Sequence, residues 1–103
     1  MDESFKVPDE CRDMADVRRG VDATDRQIMD LLDRRFGYMR AAARIKPDRG
    51  AVRDEERKAA VIEAVRHDAQ NRALPSDRIA KIWELLVETS IAYEMDEWDR
   101  LRN

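Results

Sequence analysis

Cations recur in this chain at positions where helical periodicity calls for apolar side chains. Read in steps of three and four, the stretch 15–46 runs Val17, Val21, Thr24, Ile28, Leu31, Arg35, Tyr38, Ala42, Ile45, one face of an α-helix interrupted by Arg35. Lys46 follows eleven residues later, close to three turns, so the two cations share a face about 16 Å apart. Met39 and Ala42 lie between them. A small side chain flanked by an apolar one and two long cations describes a slot for a small anionic molecule. Further along, Arg57 heads the stripe Val61, Ala64, Val65, Asp68, Ala69, and Ser90 and Glu94 interrupt the stripe Trp83, Val87, Trp98, Leu101. A lone arginine in a seam is ordinarily structural, snorkelling or paired with an acid. A buried ion-pair network with Glu94 as counter-ion is therefore the plain alternative. One carboxylate does not balance three cations, however, and the surplus predicts an anionic ligand, most economically one with two carboxylates.

The elements that must position these groups follow from local signals. The first helix begins near Asp13 or Ala15 and ends at Lys46, because Pro47 disfavours helical geometry before it and Gly50 marks a turn. KPDRGAVR is a loop at the lysine end of the slot and could serve as a lid. Asp54 can cap a second helix, with Glu55 and Glu56 in its first turn, running to about Arg72. Leu74, Pro75 and Ser76 break the chain before a third helix from about Asp77 nearly to the end. Neither strands nor repeats are legible. The expected fold class is all-α: a three-helix subunit with one long N-terminal helix, residues 14–103, preceded by a flexible arm, residues 1–13.

The first helix is too long for a monomer of this size. Thirty-two residues span about 48 Å, against roughly 34 Å across a compact chain of this length. Its overhanging seam needs cover, and an identical antiparallel helix across a two-fold axis is the simplest source. The expectation is an intertwined homodimer. With the axis near residue 30 or 31, Arg18 of the partner subunit falls beside position 43, between Arg35 and Lys46.

Composition excludes several classes. Near-equal hydrophobic and charged fractions, 43% and 42%, suit charged amphipathic helices rather than a disordered chain. The net charge of −3 argues against nucleic acid as the main partner. No apolar run is long enough for a membrane span, and MDESFKVPDE lacks the features of a signal peptide. The single cysteine, Cys11, allows no internal disulfide and fits a reducing cytoplasm as an inert thiol. His67 reads as a solvated surface residue. With no metal-ligand cluster, glycine-rich phosphate loop or nucleophile triad legible, a catalyst here is expected to work without metal or cofactor.

The run ADVRRGVDATDRQIMDLLDRRFGYMRAAARIK, the segment VRDEERKAAVIEAV and the later TSIAYE resemble the all-helical chorismate mutases and their relatives, the isochorismate pyruvate lyases. ECRDMADVR is particularly similar to the lyase branch. The resemblance covers nearly everything after the arm and implies an intertwined homodimer with two sites, each borrowing one arginine from the other subunit. It implies that Arg35 and the partner's Arg18 hold the two substrate carboxylates. Lys46 would bind the enolpyruvyl carboxylate and the ether oxygen, Ser90 the ring carboxylate, with Arg57 supporting the site and Asp54 near the substrate hydroxyl.

Two positions depart from the mutase pattern. Lys58 stands where mutases place a glutamate that accepts from the ring hydroxyl, and Glu94 stands where many members carry a glutamine that donates to the ether oxygen. A glutamate donates only when protonated. The expected activity is chorismate mutase, by conformational restraint and charge at the ether oxygen, with Lys46, Glu94 and Arg35 as the catalytic set. Isochorismate pyruvate lyase on the same scaffold is the alternative. A helical dimer that scaffolds a partner enzyme is the non-enzymatic one.

Overall fold

The computed structural model describes residues 5–103, and among them the chain is all-α. Its helices are α1 (Met14–Ile45), α2 (Glu55–Asn71) and α3 (Ser76–Arg102), with short 3-10 turns at Pro8–Glu10 and Arg49–Ala51. Two compact units divide it, the first ending at Phe36 and the second spanning Gly37–Asn103, with α1 running from one into the other.

In the first unit, the start of α1 is set by two aspartates. Asp13 accepts from the Asp16 backbone N–H at 2.8 Å, satisfying one of the donors a helix N-terminus leaves open. Asp16 is itself buried. It accepts from the Arg12 backbone N–H at 3.0 Å, from Lys6 at 3.1 Å and from Arg19 at 2.6 Å. The Arg12 N–H, followed by the Lys6 ammonium, holds the Asp16 carboxyl below its ordinary range. Of the arm expected over residues 1–13, residues 1–4 lie outside the described residues, and in the rest Lys6 and Arg12 bond to Asp16 and Pro8–Glu10 forms a 3-10 turn. The apolar seam of α1 is largely open: Val17, Val21, Ile28 and Leu31 are 38–55% exposed, and Ala23 is the buried hydrophobic residue of this stretch.

The second unit is built on the packing of α2 against α3. Asp54 caps α2, accepting from the Arg57 N–H at 3.0 Å. The end of α2 carries no glycine. Ala73 takes the left-handed conformation (φ 58°) instead, while the N–H groups of Leu74 and Ala73 close onto the Ala69 and Gln70 carbonyls. The core joins Val52, Val87 and Ile91, with Val61, Ile62, Met95 and Trp98 against them. The inward face of α2 is rotated from the sequence expectation. It presents Lys58, Val61, Ile62, Val65, Arg66 and Ala69, whereas Arg57, Ala64 and Asp68 are exposed. On α3 the expected seam holds at Trp83, Val87, Ser90, Glu94 and Trp98, but Leu101, in the last turn, is exposed.

Charged groups pin α2 to α3. Glu88 receives Arg53 at 2.7 Å and Lys58 at 2.7 Å, and Lys58 also reaches Glu84 at 2.7 Å. Arg53 first, then Lys58, pulls the Glu88 pKa from 4.5 down to about 2. A carboxylate whose pKa is lowered by folding stabilises fully above its unfolded value and loses that share as the pH falls through its folded one. Glu88→Gln is expected to melt below wild type at pH 7, with the gap narrowing as the pH drops from about 4.5 through about 2. Thermal melts of both proteins across that range test this.

Candidate active site

Lys46 directly follows the C-terminal end of α1. The Lys46 N–H closes the last helical bond onto the Ala42 carbonyl at 2.9 Å. Pro47 has no N–H, so the Ala43 carbonyl loses the donor that the next turn would have provided. The last turns of α3 replace it. Arg102 donates to the Ala43 carbonyl at 3.1 Å and to the Lys46 carbonyl at 2.9 Å, and the Trp98 indole N–H donates to the Lys46 carbonyl at 3.0 Å. The Arg102 guanidinium also lies 4.1 Å over the Trp98 ring.

From this anchored backbone the Lys46 ammonium sits 2.7 Å from Glu94 Oε2. The Glu94 side chain is only 5% exposed and that of Lys46 is 29%. The approach makes a close ion pair on a buried carboxylate oxygen, with the three ammonium N–H groups free to rotate toward it. One turn earlier on α3, Ser90 is buried and its hydroxyl donates to the Leu86 carbonyl at 2.7 Å.

The loop after Lys46 is fastened rather than free. Asp48 accepts from the Gly50 N–H at 3.1 Å, Arg49 makes a two-pronged pair with Asp99 at 2.8 and 3.2 Å, and Val52 is buried in the core. The segment expected as a lid is thus held to α3.

The expected site residues divide as follows. Lys46, Ser90 and Glu94 lie in the second unit, with Lys46 and Glu94 in contact. Asp54 is spent in part on capping α2, and Arg57 lies on its exposed face, contrary to the inward stripe expected for it. Arg18, exposed, and Arg35, half-buried, lie on α1 in the first unit. An apolar cleft of about 420 Å³ between the arm and α1, walled by Val7, Pro8, Cys11, Val17 and Val21, contains none of the expected site residues. Among the described residues there is no group of three or more side chains suited to a metal, and no helix is long and apolar enough to cross a membrane. The roles of Trp98 and Arg102 were missed from sequence, although Pro47 was a signal that the Ala43 carbonyl needed an outside donor.

An ammonium held against a buried carboxyl group can meet an oxygen that gains negative charge. The lysine offers fixed positive charge, and the carboxyl, when protonated, offers a hydrogen bond.

Residues 17–95 match the family model described as chorismate mutase type II. An isochorismate pyruvate lyase from Pseudomonas aeruginosa is 29% identical over 98 residues, covering 95% of this chain and 97% of that protein. A match over most of its length, on an all-α framework, makes this chain a member of the type II chorismate mutase family.

Proposed function

We propose that this chain is a pericyclic enzyme acting on the enolpyruvyl ether of a chorismate-type dicarboxylate. Its main reaction is cleavage of isochorismate to salicylate and pyruvate, and rearrangement of chorismate to prephenate is the lesser reaction of the same slot. The observation that carries the reading is the Lys46 ammonium 2.7 Å from a buried Glu94 oxygen. In both reactions the ring C–O bond of the ether breaks and negative charge builds on its oxygen. Lys46 supplies positive charge there, with Glu94 donating when protonated. In the cleavage, a ring hydrogen moves to the methylene carbon of the enolpyruvyl group as that bond breaks, so the ring becomes aromatic and pyruvate departs. No external acid, base or nucleophile is consumed. The protein's share is to hold the diacid in a compact reactive shape. Arg35 and Arg18 of the partner subunit are assigned to the two carboxylates, and Ser90 to the ring carboxylate. The open seam at Val17, Val21, Ile28 and Leu31 supports the homodimer that this requires.

Lys58 favours the lyase. Its ammonium is held by both Glu84 and Glu88, so the position offers no acceptor to a ring hydroxyl. The Pseudomonas relative, similar over nearly the full length of both chains, carries that activity in its name. Asp54, with carboxylate capacity left beyond its cap, keeps the mutase as the second reading. The test is a parallel assay of the purified protein with isochorismate and chorismate. Salicylate is expected to dominate, dominant prephenate would reverse the order, and neither product would move the chain to a scaffolding role.

A further inference from the structure

We infer that Trp98 and Arg102 are positioning residues that set the Lys46 ammonium in the site by gripping the backbone from which it projects. The inference rests on the reading of Lys46 as the cation at the ether oxygen. Lys46 is the last residue before a proline, at a helix end where carbonyls lack partners and fraying is the default. Three donors from α3 close that end: the Trp98 indole N–H and the Arg102 guanidinium on the Lys46 carbonyl at 3.0 and 2.9 Å, and Arg102 again on the Ala43 carbonyl at 3.1 Å.

The same helix carries Glu94, one turn before Trp98, so a single rigid element fixes both the carboxylate and the backbone of the lysine that faces it. Ala43, the other gripped residue, is fully buried, which leaves little room for this turn to shift. The stacking of Arg102 on Trp98 at 4.1 Å makes the two donors one unit. A cation placed by such a clamp meets the reacting oxygen without reorganisation, whereas a frayed turn would let a four-carbon side chain wander.

The test uses Trp98→Phe, which keeps the ring but removes the N–H, and Arg102→Gln, at an exposed position. Each full-length variant is compared with wild type by kcat, by thermal melting, and by the Lys46 Cε–Hε cross-peak in lysine-labelled protein, assigned with Lys46→Arg. The expected result is a displaced Lys46 cross-peak and a kcat about tenfold lower at a temperature where the variant is fully folded. An unmoved cross-peak overturns the inference even if kcat falls, since the loss then comes from general loosening. Full kcat in both variants while Lys46→Ala is inactive overturns the clamp alone. Full activity in Lys46→Ala overturns the reading of the site, and the clamp with it.

Discussion

Lys46→Ala is expected to lower kcat by about a thousandfold, the upper range for removing one preorganised charge or donor from a developing oxyanion. The change also removes the ammonium that faces the buried Glu94 carboxylate, which should cost about 3 kcal/mol of stability. The two effects separate in the double variant Lys46→Ala/Glu94→Gln, whose buried amide carries no charge. Its melting temperature should recover toward wild type while its activity does not. Recovery of both would mean that Lys46 serves only to neutralise Glu94. Glu94→Gln alone completes the set. A glutamine donates to the ether oxygen at every pH, whereas the glutamate donates only when protonated. If that hydrogen bond limits the rate, kcat of Glu94→Gln is expected to exceed that of the wild type. A kcat of Glu94→Gln at or below wild type would remove the donor role from Glu94.

Mixing two inactive variants should restore activity. If each site takes Arg35 from one chain and Arg18 from the other, then Arg18→Ala and Arg35→Ala homodimers each lack a carboxylate anchor at both sites. Each is expected to lose about a hundredfold or more in kcat/KM. A mixed dimer puts both substitutions into one site and leaves the other intact. Because half of the randomly re-paired dimers are mixed, co-refolding equal amounts should return about one quarter of wild-type activity. Simple addition of the two residual activities would show that Arg18 and Arg35 serve the same subunit's site, or that the dimer does not form. Arg35→Ala also addresses the scaffold alternative: a ligand-binding arginine should lose activity with stability kept or raised, whereas a structural ion-pair partner should lose stability.

Much of the framework is written in short-range signals. Pro47 and Asp54 mark the end of α1 and the start of α2, Pro75 the start of α3, and the 3.6-residue period does the rest; each acts within a turn or two. The α3 seam was legible because Ser90 and Glu94 stand out among Trp83, Val87 and Trp98. The face of α2 was not. Alanines at 59, 60 and 64 make that helix nearly apolar on several sides, so two adjacent stripes fit about equally well. The choice fell to the one carrying Lys58, because its long stem packs inward while its ammonium meets Glu84 and Glu88 on α3.

The residue types, their spacing along each helix and the surplus of positive charge at Arg35 and Lys46 were already present in the linear chain, and they sufficed to suggest a diacid ligand. That Lys46 faces Glu94, that Lys58 is occupied, and that Trp98 and Arg102 close the end of α1 were decided by the packing of α3. These contacts join residues 26 to 59 positions apart. Helical periodicity states which side of a helix a residue occupies, but not which residue of another helix will stand opposite it. That is settled only when the packed faces choose a rotation and a register.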